Sequence, residues 1–278
     1  MTMITGRDNQ KLKFARGARD GREPSFIFIE GARLAEEAGR SPIEIVETLV
    51  SESFRAKNEG NPLLAGAVPV ADRIFDSITE TRKPQGIVII AKRPVTSIEA
   101  IDRSLERASG LPLVVFLNEI NNPSNLGAIL RTAEAAGARG IVTSRNSADV
   151  FSPRALRAAM GASLRLPICE NASFDQMPAW ANARGLITTA ADIAGKTKYT
   201  EIDWQKPRLL IFGSEAHGLS LAEKNKIEEL VSIPMENEVE SLNLAVSCGI
   251  ILFEAKRQIE LAAAQRLSQK VQNPQEST

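Results

Sequence analysis

The sequence is poor in the residues from which many catalytic centres are built. It has one histidine, His217, and two cysteines, Cys169 and Cys248, among 278 residues. Two distant cysteines in apolar surroundings give no sign of a disulfide framework or a zinc site, and they are typical of reduced structural thiols. His217 has no recognisable triad partner, so we expect a solvated loop histidine rather than a general base. We expect no metal.

Long apolar runs and net charge are also missing. No segment has the length of a signal peptide's apolar region or of a bilayer span, so we expect a cytoplasmic protein with no membrane partner. The formal net charge is zero, so no global basic field favours nucleic acid, although a local basic face could still bind it. Residues 1–22 form such a region, with six basic residues against two acidic ones. The candidate RNA-binding residues in it are Arg7, Lys11, Lys13 and Arg16.

The order of apolar and polar segments predicts two α/β domains. In the first part, strands are expected at residues 25–30, 43–50, 68–70 and 86–91, and helices at 8–19 and 32–38. Apolar density falls between residues 92 and 110, where we place a linker with a short helix at 98–108. The predicted division is a first domain at 1–95, a linker at 96–112, a second domain at 113–265 and a flexible tail at 266–278.

The second part has a regular alternation of strands and helices. Strands are expected at residues 113–117, 140–143, 164–168, 186–189, 209–212 and 230–233. A helix should begin at Ser152 as N-cap with Pro153 as its first residue, and a long final helix should cover residues 243–264. This alternation favours a mostly parallel sheet with helices on both faces.

The first of three polar loops lies in residues 116–137, FLNEINNPSNLGAILRTAEAAG. An apolar strand leads into the loop, and a helix follows that has Leu126, Ile129, Leu130 and Ala133 on one face. Arg131 comes four residues after Gly127, so a cation would lie above a position without a side chain, close to helix N–H groups. This geometry suits a phosphate or phosphate ester. The alternative is a connecting loop with a solvated arginine.

The second polar loop is residues 211–220, IFGSEAHGLS, directly after an apolar strand. Gly213 would allow close backbone approach to a ligand, and Gly218 would permit a turn before a helix that Ser220 could cap. Glu215 could orient an arginine or a hydroxyl. The alternative is a tight turn without a ligand.

The third polar loop, residues 233–243, reads IPMENEVESLN and leads into the final helix. Ser241 is the expected N-cap of that helix. Ala245 and Gly249 would leave a flat strip, either for packing within the chain or for a dimer contact. The stripe expected to be buried is Leu242, Val246, Ile250 and Phe253.

All three loops follow strands of one predicted sheet, and ligands of such sheets bind outside the carboxyl ends of the strands. One composite site is therefore expected. The sequence has no G-x-G-x-x-G motif and no P-loop, so the usual nucleotide fingerprints are missing.

In order and spacing, the three loops resemble the motifs of the SpoU (TrmH-like) RNA 2′-O-ribose methyltransferases of the SPOUT superfamily. The matching segments are NNPSNLGAILRTAEAAGA, FGSEAHGLS and IPMENEVESLNLAVSCGIILFEAKRQ. Near the start, ITGRDNQKLK and FIFIEGARLAEEA resemble the substrate-binding domain of many members, which is similar to RNA-binding ribosomal proteins. Many relatives have Asn where this chain has Ser214, and His217 occupies a variable position.

The resemblance implies a smaller α/β RNA-binding domain followed by an α/β domain with a deep trefoil knot, an exception to the rule against knots. It implies S-adenosylmethionine as methyl donor and a homodimer formed through the knotted domain. Arg131 matches the family's catalytic arginine, with Asn125 and Glu215 as polar partners. The donor would be bound mainly by backbone of Gly213, Ile233 and Leu242, with Thr189, Ser241 and Asn243 nearby.

The resemblance also predicts the reaction class. We expect 2′-O-methylation of structured RNA, with 23S rRNA as the first candidate substrate and tRNA as the second. A catalytically silent RNA-binding or assembly factor on the same fold is the alternative. The family proposal makes Arg131 the general base. Because a guanidinium normally stays protonated, electrostatic stabilisation of the developing alkoxide is an equal alternative.

Overall fold

The computed structural model describes residues 2–106, 111–237 and 239–272, and within these ranges the chain forms two compact units. The first unit contains the residues up to Val95 together with Asn122–Arg131 and Ala148–Arg165. The second contains Thr96–Asn121, Thr132–Ser147 and the residues from Leu166 onwards. The predicted domain boundaries stay predictions, because compactness alone does not show which segments fold independently.

The first 95 residues build a four-stranded mixed sheet. Its elements are α1 (Gln10–Arg19), β1 (Phe26–Glu30), α2 (Ala32–Arg40), β2 (Ile45–Ser51), α3 (Glu52–Lys57), a 3-10 turn (Pro62–Leu64), β3 (Val68–Val70), α4 (Asp72–Phe75) and β4 (Ile87–Lys92). The strand order is β1-β4-β2-β3. Strand β4 is antiparallel to β1 and β2, whereas β2 and β3 are parallel. The helices and strands predicted for this part are confirmed, with ends displaced by no more than two residues.

The apolar side chains of this sheet pack against helix α1. Leu12 of α1 lies in one buried cluster with Phe28 of β1, Leu49 of β2 and Ile90 of β4. Asn9 caps the helix, since its side-chain oxygen accepts the N–H of Lys11 at 2.9 Å. The cap and the buried face together fix the basic helix on the sheet.

The rest of the chain alternates strands and helices as predicted. The elements are α5 (Ile98–Leu105), β5 (Leu113–Leu117), α6 (Pro123–Ala136), β6 (Gly140–Ser144), α7 (Pro153–Ala159), a 3-10 turn (Ala162–Leu164), β7 (Ile168–Ala172), a 3-10 turn (Phe174–Gln176), α8 (Met177–Asn182), β8 (Ile187–Ala191), β9 (Thr197–Lys198), β10 (Arg208–Phe212), α9 (Leu221–Lys224), β11 (Glu229–Ser232) and α10 (Leu244–Gln272). The predicted helix at 98–108 is present as α5, and residues 107–110 lie outside the described residues.

Strands β5 to β11 form one seven-stranded sheet in the order β7-β6-β5-β10-β8-β11-β9. Every pair of neighbours is parallel, so the predicted α/β fold with a parallel sheet is confirmed. Helices α5 and α8 cover one face, where Ile101 and Met177 pack with Val114, Phe116 and Ile211. Strand pairing does not test the trefoil knot, which stays a prediction.

Two predicted elements are placed differently. The strand predicted at residues 164–168 lies further along the chain, at Ile168–Ala172, and it begins after Pro167. Because proline has no N–H to donate, a strand with Pro167 inside it could not complete its ladder. The final helix continues to Gln272, so residues 266–272 of the predicted tail are helical, in keeping with the strong helix formers in this stretch. Residues 273–278 lie outside the described residues.

The buried face of α10 also differs from the prediction. Cys248, Ile251, Leu252 and Ala255 are buried, whereas Val246 is 50% exposed and Phe253 is 49% exposed. The first turns of α10 are apolar on nearly every side, so periodicity could not select the face that packs inward. Gly249 lies against α6, where an added Cβ would be 3.5 Å from the methyl group of Thr132. Packing within the chain therefore explains the flat strip at this position.

None of the described helices is long and apolar enough to span a bilayer.

Candidate functional site

The first polar loop begins where strand β5 ends in the parallel sheet. The N–H of Asn118 donates to the carbonyl of Phe212 at 2.9 Å, which extends the pairing of β5 with β10 by one residue. Further along the loop, the side-chain oxygen of Asn122 accepts the N–H of Ser124 at 2.9 Å. Asn122 therefore caps helix α6. The predicted strand, loop and helix are confirmed, and so is the buried face of Leu126, Ile129, Leu130 and Ala133.

Gly127 does not form the predicted phosphate cradle. A Cβ at this position would lie 2.3 Å from the carbonyl oxygen of Ala155 and 2.7 Å from the Cβ of Ala158. Helix α7 therefore packs directly on the glycine, and the space above it is filled by protein. The glycine is needed because two helices approach closely here.

Arg131 is exposed on the third turn of α6, and its side chain makes no hydrogen bond or ion pair within the described part of the chain. Its guanidinium is therefore available to an anion. Asn125 is half-buried in the first turn of the same helix.

A second arginine, missed by sequence reasoning, lies beside this helix. Arg154 of α7 is exposed, and its Nε donates to the hydroxyl of Ser124 at 2.7 Å. Ser124 and Arg131 are seven residues apart, so they share one face of α6 at a distance of about 10 Å along the axis. The signal for Arg154 in the sequence was weak, because nothing in residues 152–159 indicated which helix α7 would contact.

The second polar loop closes on itself. The N–H of Ser214 donates to the carbonyl of Gly218 at 3.1 Å, and the N–H of Gly218 donates back to Ser214 at 2.9 Å. Gly218 has a φ of 63°, which confirms the predicted turn. Gly213 is needed for the shape of this loop, because a Cβ there would lie 2.4 Å from the backbone of Gly218, and its predicted approach to a ligand stays a prediction. Glycine at 213 lets the loop fold back on itself.

The exposed tip of this loop carries Glu215 and His217. The N–H of His217 donates to the hydroxyl of Ser214 at 3.2 Å, and its side chain is exposed, as predicted for a solvated histidine. After the loop, Ser220 and Glu223 form a capping box at the start of α9. This confirms Ser220 as the N-cap.

The third polar loop leads into α10, and the cap of that helix is Asn243 rather than the predicted Ser241. The side-chain oxygen of Asn243 accepts the N–H groups of Ala245 at 2.9 Å and Val246 at 3.3 Å. Ser241 and Asn243 are exposed, whereas Ile233 and Leu242 are half-buried. Serine and asparagine are about equally good N-cap residues, so the preference for serine at 241 could not exclude a cap two residues later. Glu238 lies outside the described residues.

Thr189 lies at the centre of β8 and is fully buried. Its hydroxyl accepts a hydrogen bond of 2.7 Å from the guanidinium of Arg208, a buried side chain at the start of β10 that also pairs with Glu229. The threonine hydroxyl thus has a structural partner already.

The second unit brings together the loops that contain most of the predicted donor-binding residues. Strands β10 and β11 flank β8 in the parallel sheet, so the loops after them emerge at one edge, about 10 Å apart. Asn125 and Arg131 belong to the first unit. A single composite site made from all three loops stays a prediction.

The predicted RNA-binding face in residues 1–22 is partly neutralised. Lys11 forms an ion pair with Glu47, and Arg16 donates to the carbonyl of Arg7 at 3.0 Å. Lys13 is exposed and has no ion pair in the described ranges. A distant acidic residue such as Glu47 could not be assigned to this face from the sequence.

Neither cysteine is suited to nucleophilic chemistry. Burial raises the pKa of the Cys169 thiol and of the Cys248 thiol, so both favour the neutral form. Among the described residues, no group of three or more His, Cys, Asp and Glu side chains could hold a metal ion.

Comparison with known proteins gives consistent matches. Residues 112–253 match the model of the SpoU rRNA Methylase family. A tRNA/rRNA methyltransferase of Mycobacterium avium, described as uncharacterized, is 36% identical over 219 residues, covering 77% of this chain and 68% of that protein. The 23S rRNA (guanosine(2553)-2'-O)-methyltransferase RlmP of Bacillus subtilis is 27% identical, covering 92% of this chain and 100% of that protein.

A solved structure gives a match of similar extent. The crystal structure of an AdoMet-bound rRNA methyltransferase from Sinorhizobium meliloti superposes with a TM-score of 0.78 and 29% sequence identity. The match covers 92% of this chain and 97% of that one.

Proposed function

The chain belongs to the SpoU rRNA methylase family, and we propose that it transfers a methyl group from S-adenosylmethionine to a ribose 2′-hydroxyl of 23S rRNA. The observation that carries the choice of substrate is the similarity to RlmP along nearly the whole chain, including the part that precedes the family match. Because other relatives are described as tRNA/rRNA methyltransferases, tRNA is the second candidate. A silent RNA-binding factor is less well supported, since this chain has all the polar residues expected from the family's motifs, which are Asn125, Arg131, Glu215, Ser241 and Asn243.

The donor-side residues fit S-adenosylmethionine by their chemistry. Half-buried Ile233 and Leu242 offer apolar contact for an adenine ring, while exposed Ser241 and Asn243 offer hydroxyl and amide groups. The backbone around Gly213 is held in a closed turn at the end of β10. We assign the donor to this edge of the sheet. The sulfonium supplies both the methyl group and its leaving group, so no metal is required for the transfer.

The acceptor-side residues must bind RNA and allow the ribose hydroxyl to lose its proton. A ribose hydroxyl is a poor nucleophile, so it must lose its proton while it attacks the methyl group in line. Arg131 is exposed and has no partner among the described residues, so its guanidinium can bind a phosphate and stabilise the developing alkoxide. The alternative gives Arg131 the role of general base. Asn125 and Glu215 are assigned as polar partners of the reacting groups.

We also propose a homodimer formed through α10. Val246, Phe253 and Leu261 are each about half exposed, and their spacing of seven and eight residues places them on one side of the helix. An apolar stripe of this kind on the surface favours contact with another protein surface. A cytoplasmic location is part of the same proposal.

The experiment that tests the function is methyl transfer in vitro. Purified protein is incubated with S-adenosylmethionine labelled in its methyl group and with total RNA, and the RNA fractions are separated. We expect label in 23S rRNA, at the 2′-oxygen after digestion to nucleosides. Label only in tRNA would make tRNA the substrate in place of 23S rRNA. RNA binding without any label would favour the silent RNA-binding factor.

A further inference from the structure

Helix α9 is a single turn, and it begins directly after Ser220, the last residue of the second polar loop. Strand β10 leads into that loop, and it lies between β5 and β8 in the sheet. In residues 213–220 most side chains are exposed, and Leu219 is the only large apolar side chain that is buried. A helix of one turn has no stability of its own. Besides the buried Leu219, the position of the loop's carboxyl end therefore depends on what holds α9.

Glu223 holds α9 towards β5. One carboxylate oxygen accepts the N–H and the hydroxyl of Ser220, at 2.7 and 2.8 Å. The other oxygen accepts the side-chain N–H of Asn118 at 2.8 Å. Asn118 is 5% exposed and is itself tied to Phe212 through its backbone. Glu223 thus joins the base of the second loop to the residue that follows β5.

Lys224 holds α9 towards β8. Its ammonium group forms an ion pair of 2.6 Å with Asp192, whose side chain is only 7% exposed. Asp192 follows β8; its backbone N–H donates to Val231 of β11 at 2.9 Å, and its carboxylate accepts the N–H of Ala194 at 2.8 Å. Removal of one partner of a buried pair leaves an uncompensated charge. This ion pair is therefore a stronger restraint than one on the open surface.

We infer that Glu223 and Lys224 are positioning residues, which fix the second polar loop between the neighbouring strand ends in the conformation that receives S-adenosylmethionine. This inference rests on the proposed function. Both residues act through the loop and not by contact with the donor. Their loss should therefore weaken donor binding while the rest of the sheet stays folded.

The chain offers a matched control two residues further on. Lys226 forms an ion pair of 2.7 Å with Asp175, and both side chains are well exposed, at 46% and 75%. Asp175 belongs to the 3-10 turn between β7 and α8, and β7 is an edge strand that β6 and β5 separate from β10. Lys226→Met removes an ammonium group from an ion pair of nearly the same length. It leaves the contacts of α9 with the residues after β5 and β8 in place.

The experiment measures the dissociation constant of S-adenosylhomocysteine by calorimetry for the full-length protein and its variants. We expect Glu223→Gln and Lys224→Met each to weaken binding about tenfold, equivalent to about 1.4 kcal/mol, and Lys226→Met to leave binding unchanged. The exchange Asp192→Lys with Lys224→Asp should recover part of the loss, because it restores an ion pair. Hydrogen exchange at the amide of His217 should accelerate in the two single variants.

Unchanged dissociation constants in Glu223→Gln and Lys224→Met would overturn the inference, and so would an equal loss in Lys226→Met. If Lys224→Met does not fold, Lys224→Arg and Glu223→Gln still decide: Lys224→Arg should bind nearly as well as the wild type, and Glu223→Gln should not. The two failures can be told apart. If the wild-type protein itself does not bind S-adenosylhomocysteine, the proposed function is overturned together with the inference; if only the variants behave otherwise than expected, the inference alone is overturned.

Discussion

The Nε atom of Arg154 donates a hydrogen bond of 2.7 Å to the hydroxyl of Ser124, and this bond connects helix α7 to the first turn of α6. Arg131 lies two turns further along the same face of α6. Two guanidinium groups are thus presented by a pair of helices that pack closely at Gly127. Arginine is well suited to phosphate, since its fork of donors matches the oxygen geometry.

Arg154→Ala is expected to weaken binding of the RNA substrate about fivefold, or roughly 1 kcal/mol, because a phosphate would lose one cationic partner. Affinity for S-adenosylmethionine should not change. Binding of 23S rRNA fragments in a filter assay measures the effect, and Ser124→Ala is the control, since it removes the hydrogen bond and keeps the charge. If Arg154→Ala and wild type bind RNA equally, Arg154 has no part in RNA binding.

Gly127→Ala tests the packing of α6 on α7. In an isolated helix, alanine would be more stable than glycine by about 1 kcal/mol. Here the added methyl group would lie 2.3 Å from the carbonyl of Ala155, so we expect a net loss of about 1–3 kcal/mol in the free energy of unfolding. Denaturation by urea measures it, with Gly6→Ala as control, because nothing lies within 4 Å of a Cβ at Gly6. Stabilisation by Gly127→Ala would contradict this packing.

The basic face of the first unit allows a graded test. Replacing Arg7 and Lys13 by Gln should weaken RNA binding and reduce the slope of log K against log salt by about 1.5, as expected for two phosphate contacts. Lys11→Gln should have a smaller effect, since Lys11 is already paired with Glu47. Binding is measured over a salt series. Equal effects of the Lys11 and Lys13 substitutions would show that the Glu47 ion pair does not persist in solution.

The self-association proposed for α10 can be disrupted at its exposed stripe. Phe253→Asp places a charge on a side chain that is 49% exposed in the single chain, and in a dimer this charge would be buried without a partner. We expect a monomer by light scattering at micromolar concentration, whereas Val95→Asp, at a position 93% exposed, should leave the dimer intact. A monomeric wild-type protein would rule out the dimer.

The sequence was sufficient to predict most strands of the fold because these strands are short, apolar and bounded by polar turns. FIFIE and LVVFL are buried almost completely, as such runs require. The N-cap and the buried face of α10 were predicted wrongly because the competing signals there were nearly equal. Ser241 and Asn243 are both good caps, and α10 is apolar on several faces, so only tertiary contacts could choose.

The candidate site was predictable to a smaller extent. Loop composition identified the three polar loops, because glycine, serine and asparagine after a strand are locally informative. The partners of the side chains were not predictable, since they come from distant parts of the chain. Glu47 beside Lys11, Arg154 beside Ser124 and Asp192 beside Lys224 are all of this kind.

The central claim is tested most directly by mapping 2′-O-methylated nucleotides in rRNA and tRNA from cells that lack the gene. The deletion strain is compared with strains that express either the wild-type protein or Arg131→Ala. We predict that one 2′-O-methyl group of 23S rRNA is missing in the deletion strain, returns with the wild-type protein and does not return with Arg131→Ala. Full 2′-O-methylation of all rRNA and tRNA in the deletion strain, or restoration by Arg131→Ala, would contradict the account.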